Sequence, residues 1–339
     1  MTSVRISCWR LVCLCTVVIG LLGVATNLQA EVTRVQTLEL QAGWNAVYLE
    51  VDPLDPTPTA VFAGLPVETV ATYWPRITPV ESVSNPSDAS WKQEGWGVWY
   101  APHRLDAAIS TLHAISGHRA YLIRASRFAT WHLTGRVEYR RIRWQADSFN
   151  LLGFSVDPDQ PPTFANYFEP STAHGGLRCL RLVNGVWTLI RNPDATPIRS
   201  GEAYWVYCRG ASDYQGTLDV RIQGAGGLNF GPMTEGLGVC LASRKSSATT
   251  LRVFGDVQDP RPVLPLAWML RGGPSMAASW SPISAPVQIP ATSPRDSVDV
   301  LLRVDWSALA VASDRALLCI SEPAGSQVWV PVHAETHEP

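Results

Sequence analysis

Two stretches decide the fold: Gly43-Trp44-Asn45-Ala46-Val47-Tyr48-Leu49-Glu50-Val51-Asp52-Pro53 and Ser148-Phe149-Asn150-Leu151-Leu152-Gly153-Phe154-Ser155-Val156-Asp157-Pro158. Each runs from a short polar opening through an apolar strand pattern into Asp-Pro, and three further landmarks follow both in the same order. Gly97-Val98-Trp99 answers to Gly185-Val186-Trp187, Ser116-Gly117-His118-Arg119-Ala120-Tyr121-Leu122 to Ser200-Gly201-Glu202-Ala203-Tyr204-Trp205-Val206, and Leu133-Thr134-Gly135 to Tyr214-Gln215-Gly216. The chain therefore contains an internal duplication, in which matched positions mark what packing dictates and unmatched ones mark loops. Asn45 and Asn150 stand 105 positions apart but Gly135 and Gly216 only 81, so the second copy is a trimmed version of the first. The largest loss falls opposite Arg76 to Trp91, a stretch rich in Ser, Pro, Asn and Asp that reads as a surface loop.

Most segments read as strands. Val32 to Leu40 alternates apolar and polar residues, Trp44 to Val51 mixes aromatic and branched ones, and Gly, Pro, Asp or Ser bounds each run. Helical periodicity is confined to short pieces near Thr59 to Leu65, Leu105 to Leu112 and Thr163 to Phe168. The expectation is an all-β chain: two tandem homologous β-rich repeats over 31–142 and 143–223, then a β-sandwich over 224–339 beyond the glycine-rich Gly224-Ala225-Gly226-Gly227.

At the amino end, Arg5 and Arg10 precede the apolar run Leu11 to Ala25, and Leu28-Gln29-Ala30 then offers a small residue before Glu31. That layout predicts a secretory signal peptide over 1–30 and a secreted, periplasmic or cell-surface location. The run is short, and interrupted by Gly20 and Gly23, for the competing reading of a retained membrane anchor. Cys8, Cys13 and Cys15 would leave with it. The remaining four, Cys179, Cys208, Cys240 and Cys319, are even in number, and position favours disulfides from Cys179 to Cys208 and from Cys240 to Cys319. Free buried thiols are the alternative. With 27 basic and 29 acidic residues and no block of like charge, nothing marks a nucleic-acid or anionic-membrane surface, and no membrane span is expected after signal removal.

The Gly-Trp-Asn opening, followed by a Gly-x-x-Ala-Tyr-apolar strand ending in a glycine turn, resembles a β-rich repeat of bacterial secreted and cell-surface proteins, here in two copies from Thr33 to about Ile222. Ala120 and Ala203 stand where that pattern usually has its second Gly, and Ser148-Phe149 replaces Gly-Trp in the second copy. Leu228-Asn229-Phe230-Gly231 resembles the opening strand of Hydin-type immunoglobulin-like domains. Val298 to Val304, Ala316 to Ile320 and Val328-Trp329-Val330-Pro331-Val332 are similar to the end of BACON-type modules. The resemblance implies an extracellular accessory role rather than catalysis, and an immunoglobulin-like sandwich of about seven strands at the carboxyl side. Within it Cys240, Trp268 and Cys319 follow the order of a disulfide packed on an indole.

No sequence pattern for catalysis stands out. There is no His-Glu-x-x-His, Cys-x-x-Cys, phosphate loop or Gly-x-Ser-x-Gly elbow. His103, His113 and His118 read as loop histidines, and His174-Gly175-Gly176 as a turn rather than an oxyanion loop. Asp52, Asp55, Asp157 and Asp159 recur in the two Asp-Pro loops and are weak calcium candidates, since calcium takes six to eight oxygen ligands and Asp before Pro is a turn former in its own right. A hydrolase would need Glu50, Asp52, Glu94 and Asp106 to converge. Trp74, Trp91 and Trp96 lack counterparts in the second copy and are the candidates for a carbohydrate platform, against the alternative of core packing; Trp99, matched to Trp187, reads as core. The functional expectation is a non-catalytic exported protein for adhesion, scaffolding or display, contacting other surface proteins or glycans, with no cofactor; the alternative is a carbohydrate-binding protein.

Overall fold

The computed structural model describes residues 32–74, 95–224, 226–255, 263–271, 279–290, 293, 296–309, 311 and 313–335. The expected signal segment 1–30 lies outside them, as do Trp91 and Glu94. The chain is all-β, as its alternating patterns predict. Among the described residues no helix is long and apolar enough to cross a membrane.

The first copy comprises β1 (Thr33–Leu40), β2 (Gly43–Leu49), β3 (Asp52–Pro53), a one-turn helix α1 (Pro58–Val61), β4 (Val67–Tyr73), β5 (Trp96–Tyr100), β6 (Arg119–Ala125) and β7 (Ala129–Arg136). The second has β8 (Ser148–Leu152), α2 (Phe164–Phe168), β9 (Cys179–Val183), β10 (Val186–Leu189), β11 (Tyr204–Cys208) and β12 (Leu218–Ile222). Each copy builds one four-stranded antiparallel sheet, in the orders β2-β6-β4-β5 and β8-β11-β9-β10. The connectivity is the same in both: first strand, last, second, third.

The matching extends to individual hydrogen bonds. Asn45 turns its amide back on Gln41, accepting from its N–H and donating to its carbonyl, both at 2.8 Å; Asn150 does the same to Gln145 at 2.8 and 3.1 Å. The Tyr121 hydroxyl accepts from the Ser116 N–H at 2.8 Å, and the Tyr204 hydroxyl from the Arg199 N–H at 2.9 Å. These residues recur because each closes a loop whose backbone groups would otherwise be buried without partners.

Strand pairing revises one landmark. Val70 lies between Ile123 and Trp99, while Cys179 lies opposite Val206, whose counterpart is Ile123. Stepping outward, Trp96 faces Tyr73 and Trp187 faces Leu182 at the same rung. Trp187 is thus the partner of Trp96, and Ile190, whose N–H bonds the Cys179 carbonyl, takes the place of Trp99. The identical Gly-Val-Trp triplets are offset, and an odd offset turns a side chain to the other face of its sheet. Trp99 packs in the first copy's own core and Trp187 between the copies. β9 and β10 are joined by the two-residue turn Asn184-Gly185, both at positive φ as such a turn requires, whereas the sequence between β4 and β5 is longer and its residues 75–94 lie outside the described residues.

Each four-stranded sheet has two buried faces. One face of each meets the other copy through Ala46, Tyr48, Leu122, Trp187 and Trp205, with Trp44, Tyr73, Trp96 and Phe149 at the margin. The outer face of the first is covered by the sheet β1-β7-β3. The outer face of the second is covered by α2 and loops through Phe154, Phe164, Tyr167, Phe168 and Tyr214.

The carboxyl-side sandwich is formed by β13 (Leu228–Phe230), β14 (Leu237–Ser243), β15 (Thr249–Phe254), β16 (Leu266–Leu270), β17 (Ser281–Pro282), β18 (Val287–Ile289), β19 (Val298–Val304), β20 (Ser313–Ser321) and β21 (Gln327–Glu335). Its sheets are β12-β14-β19-β16-β17 and β13-β21-β20-β15-β18, with one parallel pair, β13 and β21. The strand expected to end the second copy, β12, is an edge of this sandwich. Val220 and Leu218 therefore bury in the sandwich core beside Leu241, Val300 and Leu318. The other sheet turns its outer face to the first copy, where Leu317 enters that copy's core and Trp329 packs on it.

Candidate functional site

The three parts of the fold meet around Glu50, at the end of β2. Its side chain is only 5 % exposed, yet both oxygens are used: Oε2 accepts from Arg34 at 2.5 Å and from Ser155 at 3.1 Å, and Oε1 accepts from Ser200 at 2.8 Å. Arg34 belongs to the first copy and the serines to the second. A buried carboxylate is tolerated where paired charge and hydrogen bonds replace its water. Gln36 completes the joint, donating to the Tyr48 carbonyl and accepting from the Glu50 N–H, both at 2.9 Å. Close by, Gly153 lies so near Tyr48 that a Cβ would fall 2.4 Å from the ring.

His118 adjoins this joint with φ +52, in the left-handed region; its counterpart is Gly201, φ +75. Nε2 of His118 lies 2.9 Å from the Glu138 carbonyl, and burial first, then the Arg140 charge, hold the imidazole below its usual pKa. Asp52 accepts from the Gly117 N–H at 2.7 Å and has Arg140 at 3.8 Å. These contacts fix the backbone of the turn before β6; they leave Asp52 anchored in structure.

Beyond His118 a groove of about 970 Å³ opens between β6, the connection 138–143 and β8. Arg119, Arg140, Arg141 and Arg143 line it, and among the described lining residues Glu138 is the one carboxylate. Arg140 pairs with Glu138 at 2.5 Å, and Arg141 with Asp219 at 2.5 Å. Arg119 instead lays its guanidinium 3.7 Å from the centre of the Trp74 ring. Neither Arg119 nor Arg143 has a carboxylate partner among the described residues. Tyr48, Tyr73 and Phe149 supply aromatic surface.

The expected carbohydrate platform is divided. Trp74 is 45 % exposed, with Arg119 over one face of its ring. Trp96 turns into the interface between copies, 5.3 Å from Tyr73. It has a counterpart after all, in Trp187, and packs as core. Trp91 lies outside the described residues.

The expected disulfides are not formed in the structure: Cys179, Cys208, Cys240 and Cys319 are each unbonded. Cys179 sits opposite Val206, which makes Cys208 its diagonal neighbour, and diagonal pairs stand about 7–8 Å apart, beyond disulfide reach. Cys240 lies between core residues Val239 and Leu241 and so points away from the sandwich core; Cys319 lies between Leu318 and Ile320 and points out of the opposite sheet. Trp268 does pack on the sandwich core, without a disulfide beside it. Burial raises the thiol pKa of Cys319 to about 12 and pushes that of Cys179 higher still.

The aspartates serve turns. Asp55 accepts from the Thr57 N–H at 2.8 Å and Asp157 from the Asp159 N–H at 2.9 Å, while Asp159 is exposed. Among the described residues no three His, Cys, Asp or Glu side chains are placed to hold a metal ion. Asp106 pairs with Arg104 at 2.8 Å, away from the groups around Glu50. His103 and His113 are exposed loop residues. His174 is buried, with Nδ1 2.6 Å from the Ser171 hydroxyl and its ring 4.3 Å from Trp144. Sequence reasoning missed the arginine groove, whose only local signal is Arg140-Arg141-Ile142-Arg143; Arg119 joins it from another strand.

No profile of a known protein family matches the chain, and no curated protein matches it.

Proposed function

We propose that this protein is a non-catalytic exported component that acts in adhesion, scaffolding or display. The observation that carries the reading is the use of Glu50. The best-buried carboxylate at the junction has both oxygens engaged, by Arg34, Ser155 and Ser200, so it joins two copies of a fold. The neighbouring ionisable groups, Asp52 and His118, likewise hold backbone. A catalytic acid or base needs a side chain in hydrogen-bond reach of a substrate, with a pKa tuned to the task. The resemblance to surface-protein repeats and the signal-like segment 1–30 support export, and the sandwich is read as immunoglobulin-like on the same ground.

The carbohydrate-binding alternative keeps one residue, Trp74, whose ring is partly open. Two measurements test the proposal. Fractionation of the native host, with the amino terminus of the protein determined, should find it exported and shortened near residue 30; retention of the full chain inside the cell contradicts it. Turnover of ester, peptide or glycoside substrates by the purified protein, abolished by a substitution at Glu50 or Asp52 that leaves the fold intact, also contradicts it. Glycan binding lost in Trp74→Ala would favour the alternative.

A further inference from the structure

We propose that the arginine groove is a docking site for an extended acidic peptide segment of a partner protein. This deepens the non-catalytic reading above and rests on it. Charge is the first argument: of the four arginines that line the groove, Arg140 is balanced by Glu138 and Asp52 and Arg141 by Asp219, while Arg119 and Arg143 have no carboxylate partner among the described residues. The Arg119 guanidinium lies over the Trp74 ring at 3.7 Å, a contact made through its face, and a guanidinium can donate two parallel hydrogen bonds from its edge to a carboxylate. Arg178, stacked at 4.7 Å on Tyr207 and 5.1 Å on Phe149, continues the line of positive charge beside a groove residue.

The second argument comes from comparing the copies. Around the interface, the outer edge of β2 pairs with the second copy: the Tyr48 N–H donates to the Gly201 carbonyl at 2.8 Å, and the Ala203 N–H to the Ala46 carbonyl at 3.0 Å. The counterpart of Ala46 is Leu151 on β8, and that of Ala203 is Ala120. Both line the groove, and no hydrogen bond joins them. Where one side of the interface is zipped, the other is parted, and β8 is the outer strand of its sheet. A strand edge beside the parted side accepts an extended backbone, and alternate carboxylates of that segment reach Arg119 and Arg143. Phe149 and Tyr73 give apolar contact to the intervening side chains.

The test is fluorescence anisotropy of the whole protein with a labelled peptide of alternating Glu and Val, at low and high salt. We expect saturable binding that weakens with added salt, since both partners are charged and partly solvated. Arg143→Ala and Arg119→Ala should each weaken it by about fivefold or more, while Arg303→Ala, in the sandwich, leaves it unchanged. Arg143 is exposed and has no ion-pair partner among the described residues, so its variant keeps the fold and the test stays decisive if Arg119→Ala is unstable. Absence of binding up to about 1 mM peptide overturns the proposal. So does binding indifferent to Arg143→Ala, or tighter binding of an oligouronate or a single-stranded oligonucleotide than of the peptide. A failure here, with the protein exported and without turnover, removes this proposal and leaves the broader reading in place.

Discussion

Trp96 and Trp187 occupy the same rung of two homologous hairpins, and both turn their indoles into the single apolar layer between the copies. Trp187 meets Trp205 at 6.2 Å, and Tyr73, the neighbour of Trp96, meets Trp205 at 5.6 Å. One aromatic cluster thus closes both sheets. The proteins that use tryptophan to bind sugar leave the ring face open; here the layer itself occupies it.

Trp96→Ala should therefore behave as a core truncation, costing about 3 kcal/mol. Trp74→Ala, at a half-open position, should cost less than about 1 kcal/mol. Urea denaturation of the two variants checks the order, and equal or inverted costs would mean that Trp96 is not part of the packed layer.

Gly201 and His118 share one left-handed backbone slot, which only glycine fills without strain. Gly201→Ala adds a Cβ that would stand 2.4 Å from Cδ2 of Leu38, so a loss of about 2–3 kcal/mol is expected. His118→Gly should be more stable than His118→Ala by about 1 kcal/mol, because both lose the imidazole and only glycine relieves the backbone. Thermal melts of the three variants give the comparison.

Acid should destabilise the fold through His174. Burial lowers its pKa from the usual 6.5 to about 4, with no charged group contributing. A depressed folded-state pKa gives stability that is complete above 6.5 and is lost as pH falls toward 4, because the unfolded chain takes the proton first. The full loss over that window is about 3 kcal/mol. Trp144, Phe168 and Tyr214 surround the ring, so His174→Phe, an aromatic replacement, should flatten the stability profile between pH 6.5 and 4 relative to the wild type. An unchanged slope would assign the acid sensitivity elsewhere.

The cysteines give a covalent check. Alkylation of the unfolded, unreduced protein should modify Cys179, Cys208, Cys240 and Cys319, each as a free thiol. In the native protein Cys179 and Cys319 should resist, since burial raises their pKa and removes the reactive thiolate. Recovery of a Cys240–Cys319 disulfide from the native protein would contradict the facing of the two sheets.

The duplication was legible because its signals are local. Asn45 and Asn150 clasp loops four and five residues upstream, and Tyr121 and Tyr204 each reach back five, so the requirement and its solution lie in one short stretch. Facing is not local. Whether Trp99 or Trp96 matches Trp187 depends on which rung of the neighbouring strand each occupies, and identical triplets misled on that point. The placement of the cysteines was hidden for the same reason: Cys240 and Cys319 lie in one module but on outward faces of opposite sheets. Strand exchange was hidden too, because Leu218 to Ile222 alternates as any strand would, and nothing in it says which sheet it completes. The arginine groove draws Arg119 from β6 and Arg143 from the connection, and near-neutral composition concealed the gathering.

The central claim is that two homologous sheets are locked face to face through Glu50. A double-mutant cycle with Glu50→Ala and Ser200→Ala, read by urea denaturation of the full chain, tests it most directly. The account predicts a coupling energy of about 1 kcal/mol between residues 150 positions apart in sequence. A coupling indistinguishable from zero would contradict it.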